Sequence, residues 1–99
     1  MLAPPISVFV IENHPTVRES ISALIAASRG LTLWATAESG EDALDQLQRA
    51  GPGGLPSIAL VDLSMPGMDG IELIERVRAG WPSVPCVVLS AHRAAIYSG

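Results

Sequence analysis

Short apolar runs alternate along the chain with longer segments in which apolar residues recur every three or four positions. The apolar runs predict four β-strands, at 6–11, 31–36, 58–61 and 84–89. The intervening segments predict α-helices at 15–29, 39–50 and 69–80, and the last residues predict the opening of a further helix at 92–98. Strands and helices that alternate in this way predict an α/β fold, in which helices cover both faces of a doubly wound parallel sheet.

Each predicted helix has a start signal or an apolar stripe that we expect to face the sheet. Ser39 with Asp42, and Asp69 with Glu72, have the three-residue spacing of helix N-terminal capping pairs. Pro15 suits the first turn of the first helix. The expected buried stripe of that helix is Val17, Ile21, Leu24 and Ile25, and that of the helix at 69–80 is Ile71, Ile74 and Val77.

Composition limits the possible functions. The 99 residues allow one domain, and the hydrophobic fraction of 48% is enough for a core. The net charge is −4, there is no lysine, and the six arginines are scattered, which argues against a nucleic-acid-binding surface. The single cysteine, Cys86, excludes an internal disulfide and fits a reducing compartment. The N-terminus has the pattern of neither a signal peptide nor a membrane span, so we expect a cytoplasmic protein with no membrane contact.

Polar side chains stand at the ends of three predicted strands. Glu12 and Asn13 follow the first strand, Asp62 follows the third, and Ser90 follows the fourth. In a doubly wound sheet with the first and third strands adjacent, these groups converge beyond the carboxyl ends of the strands, where ligands bind. Two carboxylates there suit Mg²⁺, which prefers oxygen ligands. An aspartate beside such a cation can act as a nucleophile toward phosphorus, and a hydroxyl can donate to phosphoryl oxygens.

The string VDLSMPGMDG at 61–70, with the acidic-polar pair before it and Ser-Ala after the fourth strand, resembles the receiver domain of two-component response regulators. The stretch ENHPTVRESI is most similar to receivers that precede a C-terminal helix-turn-helix output domain. The resemblance implies a flavodoxin-like fold with strand order 2-1-3-4-5, Mg²⁺ dependence and phosphotransfer from a histidine kinase. It implies Asp62 as phosphoacceptor, Ser90 and Tyr97 as the switch hydroxyl and aromatic, and the Ser64 backbone carbonyl as a metal ligand. A homodimer with a transcriptional output is also expected.

The chain departs from the family pattern at several positions. Asn13 is neutral where the family has the acid that binds the metal directly, so we expect a weaker Mg²⁺ site, held by Glu12 and Asp62, with Asn13 as a structural residue or an impaired ligand. The family lysine at the end of a fifth strand has no counterpart here. We therefore expect a single receiver domain over 1–99 that lacks the fifth strand and fifth helix and is incomplete at its C-terminus.

These departures keep a second function open, namely a phosphorylation-independent receiver that acts as a dimerisation or protein-docking module. A phosphoaspartate hydrolase is disfavoured, because Ser64 stands where that activity needs a second acid, and we expect the chain not to be an enzyme. His14 precedes a proline and is interpreted as a loop or helix-start residue rather than a ligand, since the sequence has no His/Cys cluster for a zinc site. His92 is expected at the rim of the pocket or on the surface.

Overall fold

The computed structural model describes residues 4–89, which form three α-helices and four β-strands in the predicted order. The elements are β1 (Ile6–Ile11), α1 (Pro15–Ala27), β2 (Leu31–Ala37), α2 (Gly40–Ala50), β3 (Ile58–Asp62), α3 (Gly70–Gly80) and β4 (Cys86–Leu89). The helix predicted at 92–98 lies outside the described residues. Within residues 4–89, every helix is too short or too polar to cross a membrane.

The four strands form one parallel sheet in the order β2-β1-β3-β4. β1 lies in the middle, with Val8 opposite Ile58 and Ile11 opposite Val61 on β3. The strand order therefore reverses direction between β1 and β3, and this reversal opens a crevice at the carboxyl ends of the two strands. The predicted flavodoxin-like fold, with strand order 2-1-3-4, is confirmed.

Each face of the sheet buries its own hydrophobic cluster. Side chains alternate along a strand, so Val8 and Val10 point to one face and Phe9 and Ile11 to the other. Val8 and Val10 pack with Ile25 of α1. On the opposite face, Phe9 and Ile11 share a larger cluster with side chains of α2 and α3, which are Ala43, Leu47, Leu73 and Val77. Helices therefore cover both faces, as the sequence predicts.

The predicted apolar stripe of α1 is only partly buried. Ile25 is buried and Ile21 packs beside it, because residues four apart lie on the same stripe of a helix. Leu24 is 69% exposed, since one residue of helix turns a side chain by about 100° away from Ile25. Val17 is also exposed. The helix ends at Ala27, two residues before the predicted end.

A similar correction applies to α3. Leu73 and Val77, four residues apart, are completely buried, and Ile74 is half-buried against the same cluster. Ile71 is 57% exposed, although the sequence predicts it in the buried stripe. It precedes Leu73 by two residues, which places it on the opposite side of the helix. Leu73 therefore packs in the larger cluster in place of Ile71.

The predicted helix starts are confirmed by their capping bonds. The Ser39 hydroxyl accepts a hydrogen bond from the Asp42 N–H at 3.0 Å, and the Asp69 carboxylate accepts one from the Glu72 N–H at 2.8 Å. The Glu72 carboxylate pairs with Arg76 at 3.0 Å rather than returning to the helix start. These caps fix where α2 and α3 begin. The cap of α3 therefore also sets the length of the loop between Asp62 and that helix.

One strand starts later than predicted. The Val84 N–H donates to the Trp81 carbonyl at 2.9 Å in a turn that follows α3, so Val84 is not part of the sheet ladder. β4 begins at Cys86, which pairs with Ala59 of β3.

Candidate functional site

Glu12 and Asp62 lie at the carboxyl ends of two neighbouring strands. Because Ile11 of β1 stands opposite Val61 of β3, the next residue of each chain segment is an acid at the same level of the sheet. Glu12 is 3% exposed and Asp62 is 6% exposed, so both carboxylates are largely withdrawn from solvent. The convergence predicted from the sequence is confirmed for this pair.

A third side chain joins the two acids. One ligand atom each from Glu12, His14 and Asp62 lies within 4.8 Å of the others, and together we call them the strand-end cluster. The cluster borders a cavity of about 470 Å³ between α1 and the ends of β3 and β4. The other residues that line this cavity are Val17, Ile21, Ser64 and Leu89. The site is thus an acidic end of a largely apolar cavity.

Backbone and side-chain bonds hold Glu12 in place. Its N–H donates to the Ala37 carbonyl at 3.0 Å, and its own carbonyl accepts from Arg18 Nη1 at 2.9 Å. Its carboxylate oxygen Oε1 lies 2.8 Å from His14 Nδ1 and 3.3 Å from the His14 backbone nitrogen. Hydrogen bonds therefore connect Glu12 to β2, to α1 and to His14, the N-cap residue of α1.

The electrostatic environment of Glu12 favours its protonated form. Burial raises the pKa of Glu12, and the neighbouring Asp62 carboxylate raises it further, while the bonds from His14 act in the opposite direction. Within residues 4–89, no arginine forms an ion pair with Glu12 or Asp62. Two buried acids with no such partner are a suitable donor set for a divalent cation, whose charge removes the repulsion between them.

The loop after β3 fixes the orientation of Asp62. The Ser64 N–H donates to Asp62 Oδ1 at 3.0 Å. Gly70, at the start of α3, packs so closely that a Cβ there would lie 2.6 Å from the Asp62 carbonyl oxygen. Met65 of this loop is buried, and Gly67 turns the loop with a positive φ of 76°. The Ser64 N–H therefore holds the carboxylate, while the start of α3 packs against the backbone that carries it.

Asn13 presents a different feature. Its Oδ1 atom is buried, and it has no hydrogen-bond partner in the part of the chain that the structure describes. A buried amide oxygen without a partner costs free energy, of the order of 1–3 kcal/mol, unless water or a cation satisfies it. An amide oxygen is a ligand type that hard cations accept. Asn13 directly follows Glu12 in the chain, but it is not among the residues that line the cavity.

The structure brings together three of the residues that the sequence predicts for the site. Glu12, Asp62 and Ser64 lie together, whereas Ser90, His92 and Tyr97 lie outside the described residues. His14 does begin α1 as its N-cap residue, as predicted. The interpretation that it is no ligand candidate did not anticipate its ring beside the two acids. The available signal was its position two residues after Glu12 at the same strand end.

Comparison with known proteins is consistent with this geometry. The family model "Response regulator receiver domain" matches residues 8–98. The chain is 30% identical over 88 residues to the response regulator protein VraR of Staphylococcus saprophyticus, covering 89% of this chain and 40% of VraR. It spans about two-fifths of the length of the curated relatives it matches first.

Two solved structures show the same fold. The signal receiver domain of NarL from Mycobacterium tuberculosis is 30% identical, with a TM-score of 0.78 over 91% of this chain and 69% of that one. RcsB from Salmonella enterica serovar Typhimurium, described as bound to the promoter rprA in the presence of phosphomimetic BeF3⁻, is 25% identical, with a TM-score of 0.76 over 87% of this chain and 42% of that one. With nearly the whole sequence matched, the chain belongs to the response regulator receiver domains of two-component systems.

Proposed function

We propose that Asp62 accepts a phosphoryl group from a histidine kinase and so switches the self-association or the output of a cytoplasmic transcription regulator. Receiver domains of transcription regulators are not themselves enzymes, which fits a switch rather than a catalyst. The single observation that supports the proposal best is the buried Asp62 carboxylate beside Glu12 at the carboxyl ends of β3 and β1. This is the position at which open parallel sheets bind ligands.

In the proposed reaction, a carboxylate oxygen of Asp62 attacks the phosphorus of a phosphohistidine. The new P–O bond forms as the P–N bond breaks, and the leaving imidazole takes up a proton from solvent. The Ser64 N–H, bonded to Oδ1, holds the carboxylate so that its other oxygen is the nucleophile. Burial of Asp62 limits the access of water to the resulting acyl phosphate.

Receiver domains bind Mg²⁺ at an acidic pocket, and this chain has such a pocket. The proposed ligands are the carboxylates of Glu12 and Asp62 and the backbone carbonyl of Ser64, with the Asn13 amide oxygen as a weaker neutral ligand. When bound, the cation offsets negative charge on the transferring phosphoryl group. Two acids attract the cation less strongly than three would, so we expect a weaker site here than one with three acids.

The proposed response to phosphorylation involves residues beyond β4. Ser90 is the proposed switch hydroxyl and Tyr97 the proposed switch aromatic, as the family resemblance implies. The proposed output is a DNA-binding domain in the rest of a longer regulator, because RcsB, a similar protein, is described as bound to a promoter with a phosphomimetic present. A homodimer is proposed as the active form, because RcsB, a similar protein, is described as dimers bound to DNA.

The test is phosphorylation with acetyl phosphate and Mg²⁺, followed by intact mass, and beryllofluoride binding, followed by amide NMR shifts. We expect the mass to rise by one phosphoryl group and the shifts to centre on the loop after β3. Asp62→Asn should abolish both results. Asp45→Asn is the matched control, because Asp45 is a half-exposed helix residue that pairs with Arg49 far from the strand ends, and it should behave as wild type. An unmodified wild-type mass together with unchanged amide shifts disproves the proposal.

The comparisons do not favour the phosphorylation-independent docking module over this function. The two functions differ in one respect that can be measured, which is whether oligomeric state depends on Asp62. Light scattering should show a shift toward dimer with beryllofluoride for wild type and no shift for Asp62→Asn. A dimer of equal strength in both proteins, with or without beryllofluoride, would support the docking module instead.

A further inference from the structure

His14 is placed where it can take part in metal binding. It is the N-cap residue of α1, and Pro15 after it fixes the start of the helix. Its side chain is 62% exposed, whereas that of Glu12 is 4% exposed. The imidazole therefore lies over the buried acid and is open to solvent on its other side, which leaves a path for an ion to enter.

We infer that the strand-end cluster binds Zn²⁺ or a similar late first-row divalent ion more tightly than Mg²⁺, with Glu12, His14 and Asp62 as its three protein ligands. The inference rests on the metal site of the proposed function and specifies which ion that site prefers. Imidazole nitrogen is a common ligand for Zn²⁺ and for other late first-row ions. Mg²⁺ prefers oxygen ligands and gains little from a nitrogen.

The distances in the cluster suit a transition ion. Zn²⁺ binds nitrogen and carboxylate oxygen at about 2.1 Å in a tetrahedral arrangement, so two of its ligand atoms lie about 3.4 Å apart. His14 Nδ1 and Glu12 Oε1 are 2.8 Å apart, which is somewhat shorter, because they share a hydrogen bond when no ion is bound. No pair of ligand atoms in the cluster is more than 4.8 Å apart. Side-chain shifts of less than about 1 Å are enough to close the set around one ion.

The charge of the site leads to the same preference. Glu12 and Asp62 together neutralise a dication, and Asn13 between Glu12 and His14 adds no charge. A site with two carboxylates attracts every divalent ion less than a site with three, but a nitrogen ligand restores binding only for ions that accept nitrogen. The neutral Asn13 and the imidazole of His14 therefore act together on ion choice.

The test is titration calorimetry of the purified protein with ZnCl₂ and, separately, with MgCl₂. All variants carry Cys86→Ala, so that the one thiol of the chain cannot bind zinc. We expect Zn²⁺ to bind more than about tenfold more tightly than Mg²⁺. His14→Asn removes the imidazole and places a residue that is favoured at helix N-caps before α1, where His14 itself makes no side-chain capping bond. It should weaken Zn²⁺ binding more than about tenfold, with Mg²⁺ binding nearly unchanged. Unchanged Mg²⁺ binding also shows that the variant is folded.

His92→Asn is the matched control, because His92 is the other histidine of the chain, and it should leave Zn²⁺ binding unchanged. Long-range ¹H–¹⁵N NMR of the imidazoles should show a shifted His14 ring nitrogen on addition of Zn²⁺. Equal affinity for the two ions, equal Zn²⁺ affinity in His14→Asn, or loss of Zn²⁺ binding in His92→Asn would each overturn the inference. Acetyl phosphate and Mg²⁺ should still raise the mass of the His14→Asn variant by one phosphoryl group on Asp62. The proposed function depends on that mass increase and the zinc inference does not, so the two can fail separately.

Discussion

Gly70 contacts the backbone at Asp62 so closely that a Cβ at position 70 would lie 2.6 Å from the Asp62 carbonyl oxygen and 2.7 Å from the Leu63 Cα. Both atoms belong to the main chain and cannot rotate away. The start of α3 therefore rests directly on the loop that carries Asp62. The glycine at this position is a requirement of packing, and α3 could not approach the loop this closely with any larger residue.

Gly70→Ala is predicted to lower the free energy of unfolding by about 1–3 kcal/mol, because the backbone must move to accept the new methyl group. This loss exceeds the gain in helix propensity, which is at most about 1 kcal/mol. Urea denaturation measures the change. Gly80→Ala is the control, since no atom lies within 4 Å of a Cβ there, and its stability should equal or slightly exceed that of wild type. Equal stability of the two variants would contradict the prediction.

The corrected face of α3 gives a second matched pair. Leu73→Ala should lower the free energy of unfolding by about 2–5 kcal/mol, because Leu73 is completely buried in the larger cluster. Ile71→Ala, in the same helix, should change it by less than about 0.5 kcal/mol, because Ile71 is 57% exposed. Both values come from denaturation midpoints at constant slope. A larger effect at Ile71 than at Leu73 would contradict the observed packing of α3 and support the buried stripe that the sequence predicts.

Cys86 is predicted to react slowly with alkylating agents in the folded protein. Burial raises the pKa of the Cys86 thiol, against a smaller opposing effect of Arg78, so less of the reactive thiolate is present at a given pH. The rate of iodoacetamide labelling, followed by mass against pH, should rise at higher pH than in the same protein unfolded in urea. Since the chain has one cysteine, the unfolded protein is its own control. Coincident profiles would refute the prediction.

The same pKa has a consequence for stability. The folded state holds the thiol proton more tightly than the unfolded state does, so this contribution is fully present below the unfolded pKa and is lost as the pH rises through the folded pKa. Stability should therefore fall at alkaline pH, above the ordinary thiol value of 9.0. Cys86→Ala should remove that part of the fall, as measured by urea denaturation at several alkaline pH values.

Mg²⁺ is predicted to stabilise the folded protein through the strand-end cluster. An ion that binds only the folded state adds about 1.4 kcal/mol at a free concentration ten times its dissociation constant. The thermal midpoint of wild type should therefore rise with MgCl₂ and return to its starting value on addition of a chelator. Asp62→Asn should show a much smaller rise, and it should be more stable than wild type without metal, because a buried like-charge repulsion with Glu12 is removed. An equal rise in both proteins would place the binding elsewhere.

The sequence predicted the features that depend on short stretches of chain. The apolar run at 58–61 and the carboxylate after it locate β3 and Asp62, because a strand buried on both faces tolerates no polar residue before its end. The starts of α2 and α3 follow from Ser39 and Asp69, whose bonds reach only three residues along the chain. The family resemblance added the strand order, which places Glu12 beside Asp62 and which the sheet confirms.

Tertiary structure decided the features that depend on contacts between distant segments. His14 becomes part of the site because β1 and β3 are adjacent, so that Glu12, to which the His14 ring is bonded, lies close to Asp62 of a distant segment. Ile71 is exposed and Leu73 is buried because the position of the sheet selects which side of α3 is covered. The spacing of apolar residues alone does not fix the rotation of α3 about its own axis to better than a fraction of a turn. Hydrogen bonds between near neighbours are determined by residues close together in the sequence. The orientation of a helix and the contacts of a side chain result from the packing of the whole domain.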